Sequence, residues 1–359
     1  MISKKELEDL NFFKGKRVLI TGHSGFKGGW LTYILSLLGA EILGFSKDVY
    51  KEHGLLSFMH HKNNIFSVKG DIRDISSLEN EFKKFQPEIV FHLAAQALVK
   101  DSYEDPVETF ETNVLGGVNL LEVIRNSSCI KSLVFITSDK CYENVEWVWS
   151  YRENDKLGGY DPYSASKSSA EIIFSSYYRS FLKGKGIGAA TTRAGNVIGG
   201  GDFSPNRIIP DCARAAKSNT SIKLRNPNST RPWQHVLDPI YGYLKLAKSL
   251  FNSPDIYSGS WNFGPNTSKV RSVQDVASKM VEILQRGFIE IDNSFTSHHE
   301  ANLLQLNCDK AHSLLNWKPV WDVDQSIEKT AEWYTSWLNN ENIDTITYKQ
   351  IKIFLGMDK

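Results

Sequence analysis

Cysteine is scarce in this chain of 359 residues: Cys129, Cys141, Cys212 and Cys308 are the full set. None sits in a CxxC pair or beside a histidine cluster, which argues against a zinc site and against a disulfide framework, so reduced thiols and no metal are expected. Charge of one sign is missing as well, with 42 Lys plus Arg against 41 Asp plus Glu and a formal charge of +1. Such a chain has no global field to attract nucleic acid or an anionic membrane, so neither is expected as a partner and any basic site must be local. No apolar run approaches the roughly 20 residues of a membrane span, and the N-terminal MISKKELEDLNFFKGKR lacks an apolar h-region. A cytoplasmic location is expected. There is no internal repeat and no low-complexity tract.

What remains is an ordinary globular composition, 41% hydrophobic and 23% charged, enough to bury a full core in two lobes. Through the first two thirds, short β-branched runs (Arg17 to Ile20, Glu41 to Phe45, Ile65 to Val68, Ile89 to Leu93, Leu133 to Thr137, Ala189 to Thr192) alternate with helical spacing. The helical stretches are Trp30 to Leu38, Ser77 to Phe85, Val107 to Arg125 and Ser164 to Phe181. This alternation predicts an α/β fold of the Rossmann type, a doubly wound parallel sheet with both faces covered. After Arg193 the texture turns to Gly, Pro and Asn clusters, which predicts a smaller, loop-rich C-terminal lobe. Residues 1–193 are expected to form the first domain and 194–359 mainly the second, with some return to the sheet.

Thr21-Gly22-His23-Ser24-Gly25-Phe26-Lys27-Gly28 follows the first strand and opens a helix. Its glycines allow a tight turn and close approach to a pyrophosphate, whose charge meets the amides at the helix start. Leu93-Ala94-Ala95-Gln96 after the fourth strand offers small residues against the same ligand. Gly44-Phe45-Ser46-Lys47-Asp48 ends the second strand with its carboxylate late and a lysine before it, leaving NAD and NADP both open on the residues alone.

Tyr163 and Lys167 stand four apart, on one face of a helix. A tyrosine with a reference pKa near 10 is a poor base at neutrality, and a neighbouring ammonium favours its phenolate, suiting it to take a proton from a hydroxyl. TGxxGxxG with YxxxK downstream resembles the extended short-chain dehydrogenase/reductase superfamily. The runs Ser138-Asp139-Lys140-Cys141-Tyr142-Glu143-Asn144, Gly158 to Ser164, Arg193 to Asp202 and Arg231 to Val236 narrow the likeness to the CDP-glucose 4,6-dehydratase family, across nearly the whole chain. The related dTDP-glucose dehydratases carry Asp-Glu where this chain has Asp139-Lys140. The segment Lys47 to Asn63 departs from the family, lacking the prolines expected there.

The resemblance implies an internal redox cycle on CDP-glucose through tightly held NAD. Gly22, Ser24, Gly25, Phe26, Lys27, Gly28, Asp71, Ile72, Ala94, Ala95 and Thr137, with Tyr163 and Lys167, would hold the cofactor, Asp71 and Ile72 lying at the adenine. Tyr163 would take the C4 hydroxyl proton with Ser138 beside it, Asp139 would protonate the departing C6 hydroxyl, and Lys140 would assist at C5. Asn196, Arg207, Arg225, Arg231 and Gln234 are expected at the sugar nucleotide, because guanidiniums match a diphosphate. Trp147 and Trp149 are expected to pack the lobe interface, and His298-His299 to be a polar turn. The helices at Val107 to Arg125 and Ser164 to Phe181 resemble those of a four-helix dimer interface, implying a homodimer or a dimer of dimers. A 4-epimerase of the same superfamily, a plain oxidoreductase and a non-enzymatic dinucleotide sensor are the competing readings. Asp139-Lys140 speaks against the epimerase, and the intact Tyr163 and Lys167 against the sensor.

Overall fold

The β-branched runs become strands because each is apolar on both faces and needs a layer above and below. In the computed structural model, which describes residues 1–49, 54–60, 63–266, 270–291 and 303–357, they form β1 (Arg17–Thr21), β2 (Glu41–Ser46), β3 (Ile65–Lys69), β4 (Ile89–His92), β5 (Ser132–Ile136) and β6 (Gly188–Ala194). The intervening helices are α1 (Lys4–Leu10), α2 (Phe26–Leu37), α3 (Leu55–Phe58), α4 (Ile75–Phe85), α5 (Val99–Glu104), α6 (Pro106–Phe110), α7 (Gly116–Arg125) and α8 (Pro162–Tyr177). Strand bounds fall within two residues of expectation. The stretch expected from Trp30 to Leu38 starts four residues earlier, because Gly25 is the N-cap and the glycine turn runs straight into the helix. The stretch Val107 to Arg125 is α6 and α7 joined by a π-helical turn at Glu111–Leu115, and α8 ends in another at Tyr178–Leu182.

Beyond Arg193 lie β7 (Val197–Ile198), β8 (Ser221–Leu224), β9 (Thr230–Arg231), β10 (Gln234–His235), β11 (Gly259–Phe263), β12 (Arg271–Ser272) and β13 (Phe288–Ile291). With them come α9 (Ile208–Ser218), α10 (Leu237–Asn252), α11 (Pro254–Tyr257), α12 (Val273–Leu284), α13 (Asp309–Leu315), α14 (Val323–Leu338) and α15 (Ile343–Leu355). The Gly, Pro and Asn clusters are loops, but α10 and α14 have 16 residues each, more helix than that texture suggests.

The main sheet has seven strands in the order β11-β6-β5-β4-β1-β2-β3, every neighbouring pair parallel. Successive residues of β1 point to opposite layers: Val18 and Ile20 join Trp30 and Ile34 of α2, while Leu19 joins Leu120 of α7 and Phe174 of α8. Helix α10 packs into the α2 layer through Ile240 and Leu244, so the chain after Arg193 shares the core of the first half. The order of connection reverses between β1 and β4, and in open parallel sheets the crevice at such a point receives the ligand. Thr21 pairs with Phe45 on one side and His92 on the other, which puts the ends of β1, β2 and β4 together at its floor. No helix among the described residues is long and apolar enough to cross a membrane.

Candidate active site

Two glycines make the floor of the crevice. Gly22 has φ 75°, and a Cβ there would come within 2.7 Å of the Ala94 amide nitrogen, so the β1 turn can lie against the end of β4 only without a side chain. A Cβ on Gly28 would be 2.1 Å from the Gly22 carbonyl oxygen, which fixes the packing of α2 on its own turn. Gly25 offers α2 no side-chain cap, leaving its first-turn amides and dipole for an anionic ligand. These are the features a dinucleotide pyrophosphate requires. His23, not singled out from the sequence, is fully buried and bonds Ser46 Oγ at 2.8 Å and Ser67 Oγ at 3.0 Å. Burial lowers its pKa to about 4, so the ring is neutral and ties the turn to β2 and β3. The Ser24 hydroxyl donates to the Asp48 carbonyl, closing the same turn over the β2 end.

Beyond the end of β3 the Asp71 carboxylate, expected at the adenine, is engaged by Arg73 at 2.8 Å and approached by Lys47 at 3.8 Å, and the Arg73 bonds hold it below the usual carboxylate range. Ile72 is buried beneath Gly116, where a Cβ would meet its Cγ2 at 2.6 Å. On the other wall the Ala94 amide donates to Thr21 Oγ1 at 3.3 Å. Just past Ala95, the Gln96 amide donates to Asn113 Oδ1 at 2.8 Å, and Asn113 Nδ2 donates to Ser166 Oγ of α8 at 2.8 Å. Asn113 thereby ties the loop after β4 to α8, the helix that carries Tyr163 and Lys167, a role its place within a helical run did not reveal.

Helix α8 begins at the Asp161 N-cap, whose carboxylate accepts from the Ser164 amide at 2.9 Å. Tyr163 and Lys167 are 8% and 6% exposed, with the ammonium 5.9 Å from the ring centroid. Burial pushes the Tyr163 hydroxyl up to about 12 against a hydrogen bond with Ser138 that lowers it, while burial and the nearby Lys27 bring Lys167 down to about 8. In the protein alone the phenol is therefore protonated, and the phenolate expected from Lys167 needs further positive charge in the crevice. Ser138, Asp139 and Lys140 form a tight turn leaving β5: Ser138 Oγ donates to Asp139 Oδ1 at 2.8 Å and accepts from the Lys140 amide at 3.3 Å. Asp139 is 6% exposed, and burial raises its pKa despite the opposing Lys140, the Ser138 bond and Lys27. A Cβ on Gly195 would stand 3.2 Å from Asp139 Oδ2, so the end of β6 closes directly on this carboxyl. A buried acid that resists ionisation next to a tyrosine is an arrangement for delivering a proton.

One turn beyond Lys167, Glu171 meets Arg193 of β6 in a two-pronged ion pair, Nε to Oε1 at 2.9 Å and Nη2 to Oε2 at 2.8 Å, each side chain 2% exposed. Thr137, expected at the cofactor, donates its hydroxyl to Glu171 Oε1 at 2.5 Å. Neither charged residue was legible as a partner of the other, since 22 positions separate them.

The residues expected at the sugar nucleotide are spread more widely. Arg207 bonds Asp202 Oδ2 at 2.9 Å and the Ala97 carbonyl at 3.3 Å, tying the start of α9 to the loop after β4, and its charge lowers the Tyr163 pKa. Arg225 is exposed at the end of β8, and Arg231 lies in β9 paired with Arg271 of β12. The Asn196 carbonyl accepts from the Gln234 amide at 3.0 Å. The Gln234 side chain is fully buried and donates to the Phe263 carbonyl at 2.9 Å. Trp233 is 6% exposed, its indole donating to the Arg271 carbonyl. Trp147 packs on Tyr151, but Trp149, expected at the lobe interface, is 70% exposed, because its loop runs outward between Tyr142 and Leu157. His298-His299 lies outside the described residues. Among the described residues no cluster of three His, Cys, Asp or Glu could hold a metal.

The sequence profile of a family described as GDP-mannose 4,6 dehydratase matches residues 19–330. A CDP-glucose 4,6-dehydratase from Salmonella typhimurium is similar at 43% identity over 353 residues, covering 97% of this chain and 98% of that one. Among solved structures, a dTDP-glucose 4,6-dehydratase from Bacillus anthracis in complex with NAD superposes with a TM-score of 0.73 at 25% identity, over 89% of this chain and 96% of the other. A UDP-glucose 4-epimerase from Thermus thermophilus in complex with NAD gives 0.75 at 25%, over 89% and 98%.

Proposed function

Because the chain belongs to the GDP-mannose 4,6 dehydratase family, we propose that it is an NAD-dependent hydro-lyase acting on a nucleotide sugar, specifically a CDP-glucose 4,6-dehydratase that forms CDP-4-keto-6-deoxy-D-glucose and water. The observation that carries this reading is the pairing, in one cleft, of a YxxxK tyrosine with a second buried group for moving protons, Asp139. A 4-epimerase needs the first and has no step for the second.

The glycine turn, the α2 amides, Ala94 and Lys167 would hold NAD, with Asp71 and Ile72 toward the adenine. When bound, NAD would accept the hydride from sugar C4 and return it to C6 of the 5,6-ene, with a proton going back to C5, so the cycle would have no net redox change. Tyr163 takes the C4 hydroxyl proton, its phenolate favoured by Lys167, Arg207 and the cationic nicotinamide. The 4-keto group acidifies the C5 hydrogen. Asp139, whose proton affinity burial raises, gives a proton to the C6 oxygen as the C6–O bond breaks and water leaves. Lys140, beside it, assists proton removal at C5. Arg207 and Arg231 orient the diphosphate, with Asn196 and Arg225 as further contacts, while the buried Gln234 supports the neighbouring backbone through its bond to the Phe263 carbonyl.

Purified protein is incubated with CDP-glucose, with and without added NAD, and the product is weighed. A loss of one water with no build-up of free NADH is expected. A product of unchanged mass would establish an epimerase, and free NADH equal to the sugar oxidised would establish a plain oxidoreductase. Comparison with dTDP-, UDP- and GDP-sugars tests the base.

We place the enzyme in the cytoplasm, where its four free cysteines stay reduced, and in deoxysugar supply for surface polysaccharide such as O-antigen. Val107, Leu115 and Ile172 are 65%, 56% and 58% exposed on the helices from α6 to α8. An apolar stripe on adjacent helices supports a homodimer, or a dimer of dimers, joined by four helices. Sedimentation of Leu115→Glu, expected to give monomer, tests that assembly.

A further inference from the structure

The Arg193–Glu171 pair has no place in the chemistry just described, yet it touches the helix that carries Tyr163 and both ends of the turn that carries Asp139. Glu171 continues the stripe of Tyr163 and Lys167 along α8, at intervals of four. Its carboxylate accepts from Thr137, the residue before Ser138, and from Thr191 Oγ1 at 2.7 Å. Arg193 Nη1 donates to the Tyr142 hydroxyl at 2.6 Å and to the Glu153 carbonyl at 3.0 Å, and its guanidinium lies 4.7 Å from the Tyr142 ring centroid. Tyr142 closes the other end of the Ser138–Cys141 turn, its amide donating to the Asp139 carbonyl at 3.3 Å. The turn that carries Asp139 is therefore held before and after by one ion pair, and the same pair grips the helix that carries Tyr163. A buried pair with full hydrogen bonding adds little net stability over an apolar substitute, but it fixes geometry.

We propose that Arg193 and Glu171 are positioning residues that set the placement of Asp139 relative to Tyr163, and so keep elimination in step with oxidation. This rests on the dehydratase reading. Neither side chain touches the reacting atoms.

The test compares two conservative variants of one network. Tyr142→Phe keeps the ring but removes the hydroxyl through which Arg193 holds the turn. Thr191→Val removes an equally buried hydroxyl of the same network, one that donates to the Glu171 carboxylate from within β6, away from the turn. In Tyr142→Phe, rapid-mixing absorbance is expected to show bound NADH accumulating, with elimination slowed about 10-fold, the scale of a misplaced catalytic group, while oxidation and KM stay near wild type. Thr191→Val should keep the wild-type ratio of the two steps. In the protein without cofactor or substrate, hydrogen exchange at the Cys141 and Tyr142 amides should quicken in Tyr142→Phe and Glu171→Gln and not in Thr191→Val. Equal step ratios in both variants, or exchange that quickens alike throughout, would overturn the positioning role. Wild-type protein that yields no 4-keto-6-deoxy product would instead remove the dehydratase reading, and the exchange comparison would still decide whether the ion pair holds the turn.

Discussion

One turn of α8 separates Lys167 from Glu171, and the buried charges on either side of that turn are treated in opposite ways. In the cleft, burial drives Lys167 down to about 8, Tyr163 up to about 12 and Asp139 up, each toward its neutral form. Beneath it, Glu171 is held below its ordinary value although burial alone would raise it, and Arg193 above, so both stay ionised. Exposure does not distinguish the two groups, since all five side chains are at most 8% exposed. The partners do. Glu171 accepts from a guanidinium and from the hydroxyls of Thr137 and Thr191, whereas Asp139 has Ser138 and two ammonium groups at longer range. A buried charge with complete partners is fixed in place; one left with incomplete partners is ready to exchange a proton.

The most severe way to break this contrast is to leave Glu171 in place without its partner. Arg193→Met should cost on the order of 3–5 kcal/mol, because an uncompensated carboxylate remains in the core. Urea unfolding measures it, and Arg193→Met with Glu171→Met should recover much of the loss. A single variant unfolding at the wild-type midpoint would show that the network is dispensable.

On the cleft side, Tyr163→Phe removes the group proposed to take the C4 hydroxyl proton and should slow turnover roughly 100-fold or more, with calorimetric binding of the sugar nucleotide little changed. Near-normal turnover would unseat the YxxxK assignment. Asp139→Asn keeps shape and hydrogen bonding but cannot give a proton, so elimination should slow by roughly 100-fold or more while oxidation survives. Bound NADH would then appear on rapid mixing, and dehydrated product formed at the wild-type rate without such a transient would show that Asp139 is not the acid of the elimination.

Much of this was legible in the sequence where physics is local. The β-branched runs and the glycine turn gave the sheet and its crevice, because apolar periodicity and a positive-φ glycine act within a few residues. Tyr163 and Lys167 were legible for the same reason, one helix face being a matter of spacing. His23, Asn113 and the Arg193–Glu171 pair were not, since each is defined by partners on other elements: His23 to Ser67 spans 44 positions and Asn113 to Ser166 spans 53. The raised Tyr163 pKa was opposite to the first expectation. Spacing reports that an ammonium is near, but burial of the phenol, which outweighs it, is a property of the assembled cleft.

The smallest effect sharpens the contrast most, because it predicts a gain. The folded pKa of Lys167, about 8, lies below the unfolded reference of roughly 10.4, and burial is the first cause. Between those values the unfolded chain binds a proton that the folded one does not, so stability from this group rises with pH across that window. Below about pH 8 both states are protonated and the cost of the buried ammonium is fully present. Lys167→Met keeps the aliphatic stem and deletes the charge. It should therefore abolish support for the Tyr163 phenolate while making the protein more stable at pH 7, by on the order of 1 kcal/mol, or a few degrees in Tm. That advantage should shrink between pH 8 and pH 10 as the wild-type lysine loses its proton. Melting curves of the two proteins across that range supply the measurement. A variant less stable at pH 7, by an amount that does not change with pH, would mean that Lys167 is as fully partnered as Glu171, and the distinction between the two sides of the turn would fail.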